Sequence, residues 1–174
     1  MAFIAKSYKL TCPWIIYGGN PKTWVLEGSN GSGWDTIDAQ TDYFFATTTD
    51  AFTISNTTDY QKYRITVSAV YGAFGVLIKQ LEILDGAGVN QCVTMTANNA
   101  PSPAVASASY EADPAYKAFD SDASSWWDSN ALTGWLCYDT GVAPLSPLYP
   151  ITLTYPADHA FVVSPDFFKW EIPS

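Results

Sequence analysis

The chain has 174 residues, which is enough for one sizeable core and predicts a single domain or one domain with an additional fragment. Aromatic residues make up 16% and charged residues only 14%, a composition typical of all-β proteins with many half-buried strands. The formal net charge of −9 argues against binding to nucleic acid or to an anionic membrane, because both surfaces are negatively charged.

The sequence contains no membrane or export signal that we can identify. No apolar run reaches the roughly 18–20 residues of a membrane-spanning helix, and the amino terminus lacks the apolar stretch of a secretory signal. We therefore expect a protein made in the cytoplasm, without membrane insertion. The odd number and wide spacing of the cysteines favour reduced thiols over a disulfide framework. They are Cys12, Cys92 and Cys137.

Strand patterns dominate the first half of the chain. The predicted strands are short, rich in β-branched and aromatic residues, and bounded by turn residues. They cover residues 8–11, 23–27, 51–55, 63–68 and 76–84. The glycine-rich residues 28–33 predict a turn, and residues 85–103, with their Gly, Asn and Pro, predict a connector. No amphipathic helix pattern is present, so we expect little helix.

Further strand signals follow the connector. They lie at residues 105–110, 126–127 and 135–138, with a loop at 111–114. Four tryptophans sit on strand patterns or at strand ends, which predicts that they are core residues. These are Trp24, Trp34, Trp127 and Trp135.

Two stretches near the amino terminus are repeated near the carboxyl end. LTCP at residues 10–13 returns as LTYP at 153–156, and PKTWVLE at residues 21–27 returns as PDFFKWE at 165–171. The separation is that of one β-domain and not of a solenoid repeat. Residues 143–174 are thus predicted to be a partial repeat of residues 3–29.

Several motifs with matching spacing are similar to one known family. ASAS (106–109), AYKAFDSD (115–122), Trp127 and GWLCYDTG (134–141) resemble the opening half of a discoidin module, also called F5/8 type C or family-32 carbohydrate-binding. PKTWVLEGSNGSGW (21–34), YQKYRI (60–65) and IKQLEI (78–83) resemble its closing half. The sequence is most similar to those of discoidin-like modules in bacteriophage tail and capsid-associated proteins.

The resemblance implies a jelly-roll β-sandwich with its halves in inverted order. The closing half would be residues 1–86, the connector 87–103, the opening half 104–142 and the repeated tail 143–174. Such sandwiches have adjacent termini and tolerate circular permutation within one chain. Alternatively, neighbouring subunits exchange halves in a homo-oligomer. We favour a permuted core whose tail is an attachment or assembly segment, because the tail and residues 8–27 compete for the same strand positions.

The resemblance also implies a structural Ca²⁺ site, since hard cations prefer several oxygen ligands from a tight loop. The family usually has glycine at the position of Ser121. The alternative is an acidic turn capped by its own backbone. The residues that match the family's ligands are Asp120, Asp122, Ser125 and Glu82, with a carbonyl near Lys117.

Ligand recognition in this fold is expected in loops at one end of the sandwich, here residues 14–20, 71–75 and 110–113. A carbohydrate site needs an aromatic platform and a few fixed polar groups. The alternative is that these aromatic side chains close the end of the core or form a subunit contact. The candidate platform is Trp14, Tyr17, Tyr71 and Phe74, and the candidate polar contacts are Asn20 and Glu111.

No set of residues predicts catalysis. His159 is the only histidine and has no paired nucleophile, and Asp35 and Asp38 are placed in a turn region. The resulting prediction is a non-enzymatic, virion-associated protein that binds carbohydrate on a cell or particle surface. The alternative is a structural or decoration protein whose repeated tail docks onto, or exchanges with, other virion proteins or subunits.

Overall fold

A computed structural model describes residues 2–14, 18–31, 33–141, 162–163 and 168–169. The described residues contain no α-helix, in agreement with the predicted low helical content, and only one 3₁₀ helix, Ala115–Ala118. None of their helices is long and apolar enough to cross a membrane. The strands are β1 (Ser7–Thr11), β2 (Pro21–Ser29), β3 (Asp35–Gln40), β4 (Thr49–Thr53), β5 (Lys62–Val70), β6 (Leu77–Ile78), β7 (Gln80–Leu84), β8 (Val105–Ala108), β9 (Trp127–Asp128), β10 (Gly134–Asp139), β11 (Val162–Val163) and β12 (Phe168–Lys169).

Two antiparallel sheets make up most of the fold. The larger has five strands in the order β3-β2-β5-β10-β8, and the smaller has three in the order β4-β1-β7. β10 pairs with β5 so that Leu136 lies opposite Ile65, and with β8 on its other side. Strands from before and after residues 85–103 therefore share one sheet. Two further pairs, β6–β9 and β11–β12, are two residues long on each strand.

One apolar cluster joins the inner faces of the two sheets, an arrangement consistent with a β-sandwich. Alternate residues of β2 and β5 point inward, as the period of a strand requires. Trp24 on β2 reaches across to the three-stranded sheet, where its ring packs edge-on against Phe52 of β4 at 5.5 Å between centroids. The same indole stacks on Phe45, so aromatic rings fill much of this side of the core.

The hydroxyl of the buried Tyr8 makes hydrogen bonds to two neighbouring strands. The Tyr8 hydroxyl donates to Asp38 Oδ2 at 2.7 Å and accepts from Trp24 Nε1 at 3.0 Å. Burial, and then the Asp38 hydrogen bond, raise the pKa of Tyr8 well above its ordinary value. The hydroxyl therefore stays protonated and ties β1, β2 and β3 together.

The secondary structure differs from the prediction in two places. Residues 35–40 form strand β3, so Asp35 and Asp38 do not lie in a turn region. Among the described strands, β3 pairs only with β2, at the edge of its sheet. Its residues are mostly polar, three of them exposed and three half-buried, so it lacks the buried apolar positions on which the prediction depended. The predicted strand at 76–84 is two strands, because Lys79 leaves the β6–β9 pair and donates its N–H to the Thr11 carbonyl.

Two of the four predicted core tryptophans are only half-buried. Trp24 and Trp127 are in the core, whereas Trp34 and Trp135 are partly exposed. The Trp34 ring lies against the Arg64 guanidinium, 4.0 Å from its carbon to the ring centroid. Trp135 precedes the buried Leu136 on β10, so it points to the outer face of the sheet.

The three thiols are free and buried. Burial raises the pKa of each thiol, that of Cys137 to about 11. The thiolate that reacts with electrophiles or metals is therefore scarce at neutral pH.

Candidate functional site

The loop between β1 and β2 is fixed to the loop between β5 and β6. Gly19 N–H donates to the Tyr71 carbonyl at 2.6 Å, Tyr71 N–H to the Asn20 carbonyl at 3.0 Å, and Leu77 N–H to the Gly19 carbonyl at 2.8 Å. Gly72 has φ +74, and a Cβ there would lie 2.7 Å from the Gly18 Cα. Only glycine permits both this conformation and this close approach.

The other side of the site is the turn that follows β9. Leu77 of β6 lies opposite Asp128 of β9, and Val76 N–H donates to both the Ala131 carbonyl and the Ser129 hydroxyl at 2.9 Å. A Cβ on Gly75 would lie 2.6 Å from the Asn130 nitrogen, so the two loops touch backbone to backbone. Three separate segments of the chain are held at one place by these contacts.

These segments enclose an open cleft of about 700 Å³. Its exposed apolar side chains are Trp14 at 41%, Phe74 at 64% and Leu132 at 54% relative exposure. The Trp14 and Trp126 rings meet at 5.5 Å between centroids and 58° between planes, so they form a corner. The described residues that line the cleft are Trp14, Gly18, Ala73, Phe74, Gly75, Leu77, Trp126, Asp128, Asn130, Ala131 and Leu132.

Of the predicted ligand-binding residues that the structure describes, two line this cleft, Trp14 and Phe74. Tyr71 does not line it; its ring packs against Phe44 and beneath the Lys22 ammonium, 5.6 Å from the ring centroid. Asn20 is buried and donates its amide to the Trp14 carbonyl, which fixes the loop from inside. Tyr17 lies outside the described residues.

Glu111 also lies apart from the cleft lining. Its carboxylate accepts two hydrogen bonds from the Asn98 amide, at 3.0 and 3.1 Å, and one from Ala115 N–H. Asn98 Oδ1 in turn accepts from Tyr116 N–H. These contacts attach the connector to the 3₁₀ helix, so the Glu111 carboxylate stabilises the backbone at this junction.

The sequence prediction missed Trp126, Asp128, Asn130 and Leu132 as cleft residues. A usable signal was present in the Trp126–Trp127 pair, since adjacent residues at a strand start point to opposite sides. Trp127 is fully buried and donates its Nε1–H to the Tyr110 carbonyl. Once Trp127 is assigned to the core, Trp126 must face outward, into the cleft.

The cleft carries negative charge. Of the described residues that line it, Asp128 is the only ionisable one. Asp128 Oδ1 accepts the Asn130 N–H at 2.7 Å, which fixes the carboxylate. Within the described chain, no ion pair involves Asp128. An aromatic corner with one unneutralised carboxylate can hold an apolar ring and attract a cation.

The loop predicted to bind Ca²⁺ forms a tight turn. Ser121 has φ 60, the left-handed conformation that favours glycine, so the turn forms despite the serine. Ser125 Oγ donates to Asp120 Oδ2 at 2.6 Å and lies 3.4 Å from the Lys117 carbonyl oxygen. Three of the predicted oxygens therefore come together.

The remaining two predicted ligands are engaged elsewhere. Asp122 Oδ1 accepts hydrogen bonds from the Ser124 hydroxyl and N–H, both at 2.7 Å, and these lower the pKa of Asp122. Glu82 pairs with Lys9 on β1 at 3.3 Å. Among the residues that the structure describes, no group of three or more His, Cys, Asp or Glu is placed to hold a metal ion. The donor set fits Ca²⁺ only in part.

The carboxylates of Asp35 and Asp38 both accept hydrogen bonds from tyrosine hydroxyls. Asp35 Oδ2 accepts from the Tyr60 hydroxyl at 3.0 Å, and Asp38 Oδ2 accepts from Tyr8 and from the Gln40 amide. Burial, and then the Asp35 hydrogen bond, raise the pKa of Tyr60. These contacts give each carboxylate a role in holding the sheet together.

Comparisons with known proteins leave the site to be interpreted from its own chemistry. No protein-family model, curated protein or solved structure matches the chain.

Proposed function

We propose that this chain is a discoidin-like jelly roll with permuted halves, and a non-enzymatic, virion-associated protein that binds carbohydrate on a cell or particle surface. The motif resemblance motivates the family, and the five- and three-stranded sheets are compatible with it. The pairing of β10 with β5 supports completion of the sandwich within one chain. The proposal that the protein is part of a virion depends on its sequence similarity to modules of phage proteins.

The observation that carries the binding proposal is the aromatic cleft. Sugar rings present apolar C–H faces, and exposed indole and phenyl rings stack on them. Trp14 and Phe74 are exposed at the mouth of a cleft whose loops are braced by backbone hydrogen bonds. Such bracing lowers the cost of ordering the site when a ligand binds.

An array of bacterial surface oligosaccharides, probed with the whole chain and with two matched variants, tests this proposal. Phe74→Ala should reduce binding at least about tenfold, because alanine removes one wall of the cleft. Phe44→Ala is the matched control, since Phe44 is as exposed, at 63%, but lies outside the cleft lining. Binding to no glycan, or equal loss in both variants, would refute a carbohydrate site here.

A second function is favoured by the repeat itself. The tail repeats residues 8–27 with apolar residues at the buried positions: Leu153 corresponds to Leu10, and Phe168 to Trp24. A segment with this pattern can add to or replace strands in a neighbour, which makes a structural or decoration protein and a homo-oligomer. The tail's role falls largely outside the described residues.

Deleting residues 145–174 tests the tail. We expect the truncated chain to keep its fold but to lose self-association or docking onto other virion proteins. Light scattering of the full chain and of the truncated chain measures this directly. An unchanged number of subunits per particle would remove the assembly function and leave the binding proposal untouched.

Calcium is a further part of the proposal. The oxygens of Lys117, Asp120 and Ser125 would hold the ion, and its effect would be to rigidify this loop. Unfolding in the presence of calcium and of a chelator measures the effect. Identical melting temperatures in both would exclude a structural calcium at this loop.

A further inference from the structure

We infer that the cleft selects amino sugars whose amine is free and protonated, in preference to their neutral N-acetylated counterparts. The inference rests on the proposed carbohydrate-binding function and narrows its ligand class. Its basis is one juxtaposition: the Asp128 carboxylate and the Trp14–Trp126 corner face the same 700 Å³ space.

The carboxylate is held in place and available. Asp128 Oδ1 is occupied by Asn130 N–H, and the Asp128 carbonyl accepts from Ala112 and Asp113 N–H at 2.9 and 3.2 Å. Oδ2 has no hydrogen bond to the described part of the chain, and no Lys or Arg described here lines the cleft. A charged acceptor without a partner among the described residues is left for the ligand, and hydrogen bonds between charged groups are stronger than neutral ones.

The aromatic walls favour the same ligand. An ammonium over a tryptophan face is attracted by the ring quadrupole, and tryptophan is the best of the aromatic residues for this contact. The two indoles at 58° give one face for the sugar's C–H surface and another for its amine. A neutral sugar would gain only the first of these.

Charge excludes the opposite class of ligand. The chain carries a net charge of −9, and an acidic sugar would bring its carboxylate towards Asp128. Like charges in a cleft of reduced dielectric repel. Neutral sugars are not repelled, but the described lining offers them only two polar side chains, those of Asp128 and Asn130.

Calorimetry at about pH 6 with a glucosamine tetrasaccharide and its fully N-acetylated counterpart tests the inference on the whole chain. We expect the free amine to bind about tenfold more tightly, equivalent to about 1.4 kcal/mol. Asp128→Asn keeps an oxygen to accept the Asn130 N–H, so the turn remains, and the ratio should fall to within about threefold. Asp59→Asn, which removes an exposed carboxylate outside the cleft lining, should leave the ratio unchanged.

The outcomes separate the two proposals. If both tetrasaccharides bind equally and Phe74→Ala abolishes both, the carbohydrate site stands and the amine preference is wrong. If neither binds, and no glycan binds on the array, both proposals are wrong. A preference that survives Asp128→Asn, or phosphocholine binding more tightly than the amino sugar, would also overturn the inference. The wild-type ratio decides the matter even if a variant fails to fold.

Discussion

The pairing of β5 with β10 is the contact that unites the two halves of the chain, and a double-mutant cycle measures it. Ile65 and Leu136 are directly opposite each other and fully buried. Ile65→Val should cost about 0.5–1.5 kcal/mol and Leu136→Ala about 2–5 kcal/mol, because each leaves a cavity. Residues in contact share that cavity, so the double variant should differ from the sum by about 0.5 kcal/mol or more. Urea unfolding followed by tryptophan fluorescence gives each free energy of unfolding.

The matched control makes the same Ile→Val substitution on a distant strand of the same sheet. Ile37 is on β3, three strand positions from β10, and strands lie about 4.8 Å apart, so Ile37 and Leu136 are separated by about 14 Å. Ile37→Val combined with Leu136→Ala should therefore be additive within about 0.5 kcal/mol. Additivity for both pairs would mean that Ile65 and Leu136 are not neighbours, and the union of the halves in one sheet would be wrong.

Three further predictions concern acid sensitivity, close packing and thiol reactivity. Burial by itself raises the pKa of Glu27, but hydrogen bonds from Arg64 and Thr66 lower this pKa below its ordinary value. The ionised Glu27 carboxylate therefore stabilises the fold above the pKa of the unfolded state, and this stabilisation is lost as the pH falls through the pKa of the folded state. Urea midpoints of Glu27→Gln and wild type should therefore differ at pH 7, and the difference should shrink as the pH falls through the folded-state pKa of Glu27; a difference that does not change with pH would contradict this. Gly28→Ala places a Cβ 2.3 Å from the Tyr60 ring and should destabilise by about 1–3 kcal/mol, with an unchanged melting temperature as the contrary result. The thiols of Cys12, Cys92 and Cys137 should react with a disulfide reagent only after unfolding, and fast reaction of the native protein would refute their burial.

Strand prediction succeeded where burial imposed a period on the sequence. β1, β2 and β5 each alternate between buried and half-buried residues, and their apolar positions identified them. β3 was missed because it lies at the sheet edge, where only one neighbour and little burial constrain its composition. Local pattern therefore predicted most strands, including the edge strands β4 and β8, and missed the polar β3, which is specified by its pairing with β2.

The cleft could be predicted only in part for a different reason. Trp14 and Phe74 were identified because aromatic residues in loops that contain glycine are distinctive in the sequence, but the same pattern also selected Tyr71, which does not line the cleft. Asp128 was not identified, since its place in the cleft depends on pairing with Leu77, far away in the chain. Glu111 looked suitable by composition, but its partner Asn98 comes from the connector. Long-range pairing decided which polar residue lines the cleft.

The cleft exists only when both halves of the chain are joined. Trp14 and Phe74 come from the segment before the connector, and Trp126 and Asp128 from the segment after it. The β6–β9 pair and the Val76–Ala131 hydrogen bond hold the two segments together at this point. A ligand that contacts both walls therefore binds the joined state and not the separated one, and must stabilise it by RT ln(1 + [L]/Kd), about 2.7 kcal/mol at one hundred times Kd. An amino-sugar ligand at saturation should thus raise the melting temperature of the wild type. At the same ligand concentration the increase should be smaller in Asp128→Asn, because that variant binds the ligand more weakly. A ligand that binds tightly without moving the melting temperature would have to bind the unfolded chain as well as the folded one, and that result would rule out a site assembled by the fold.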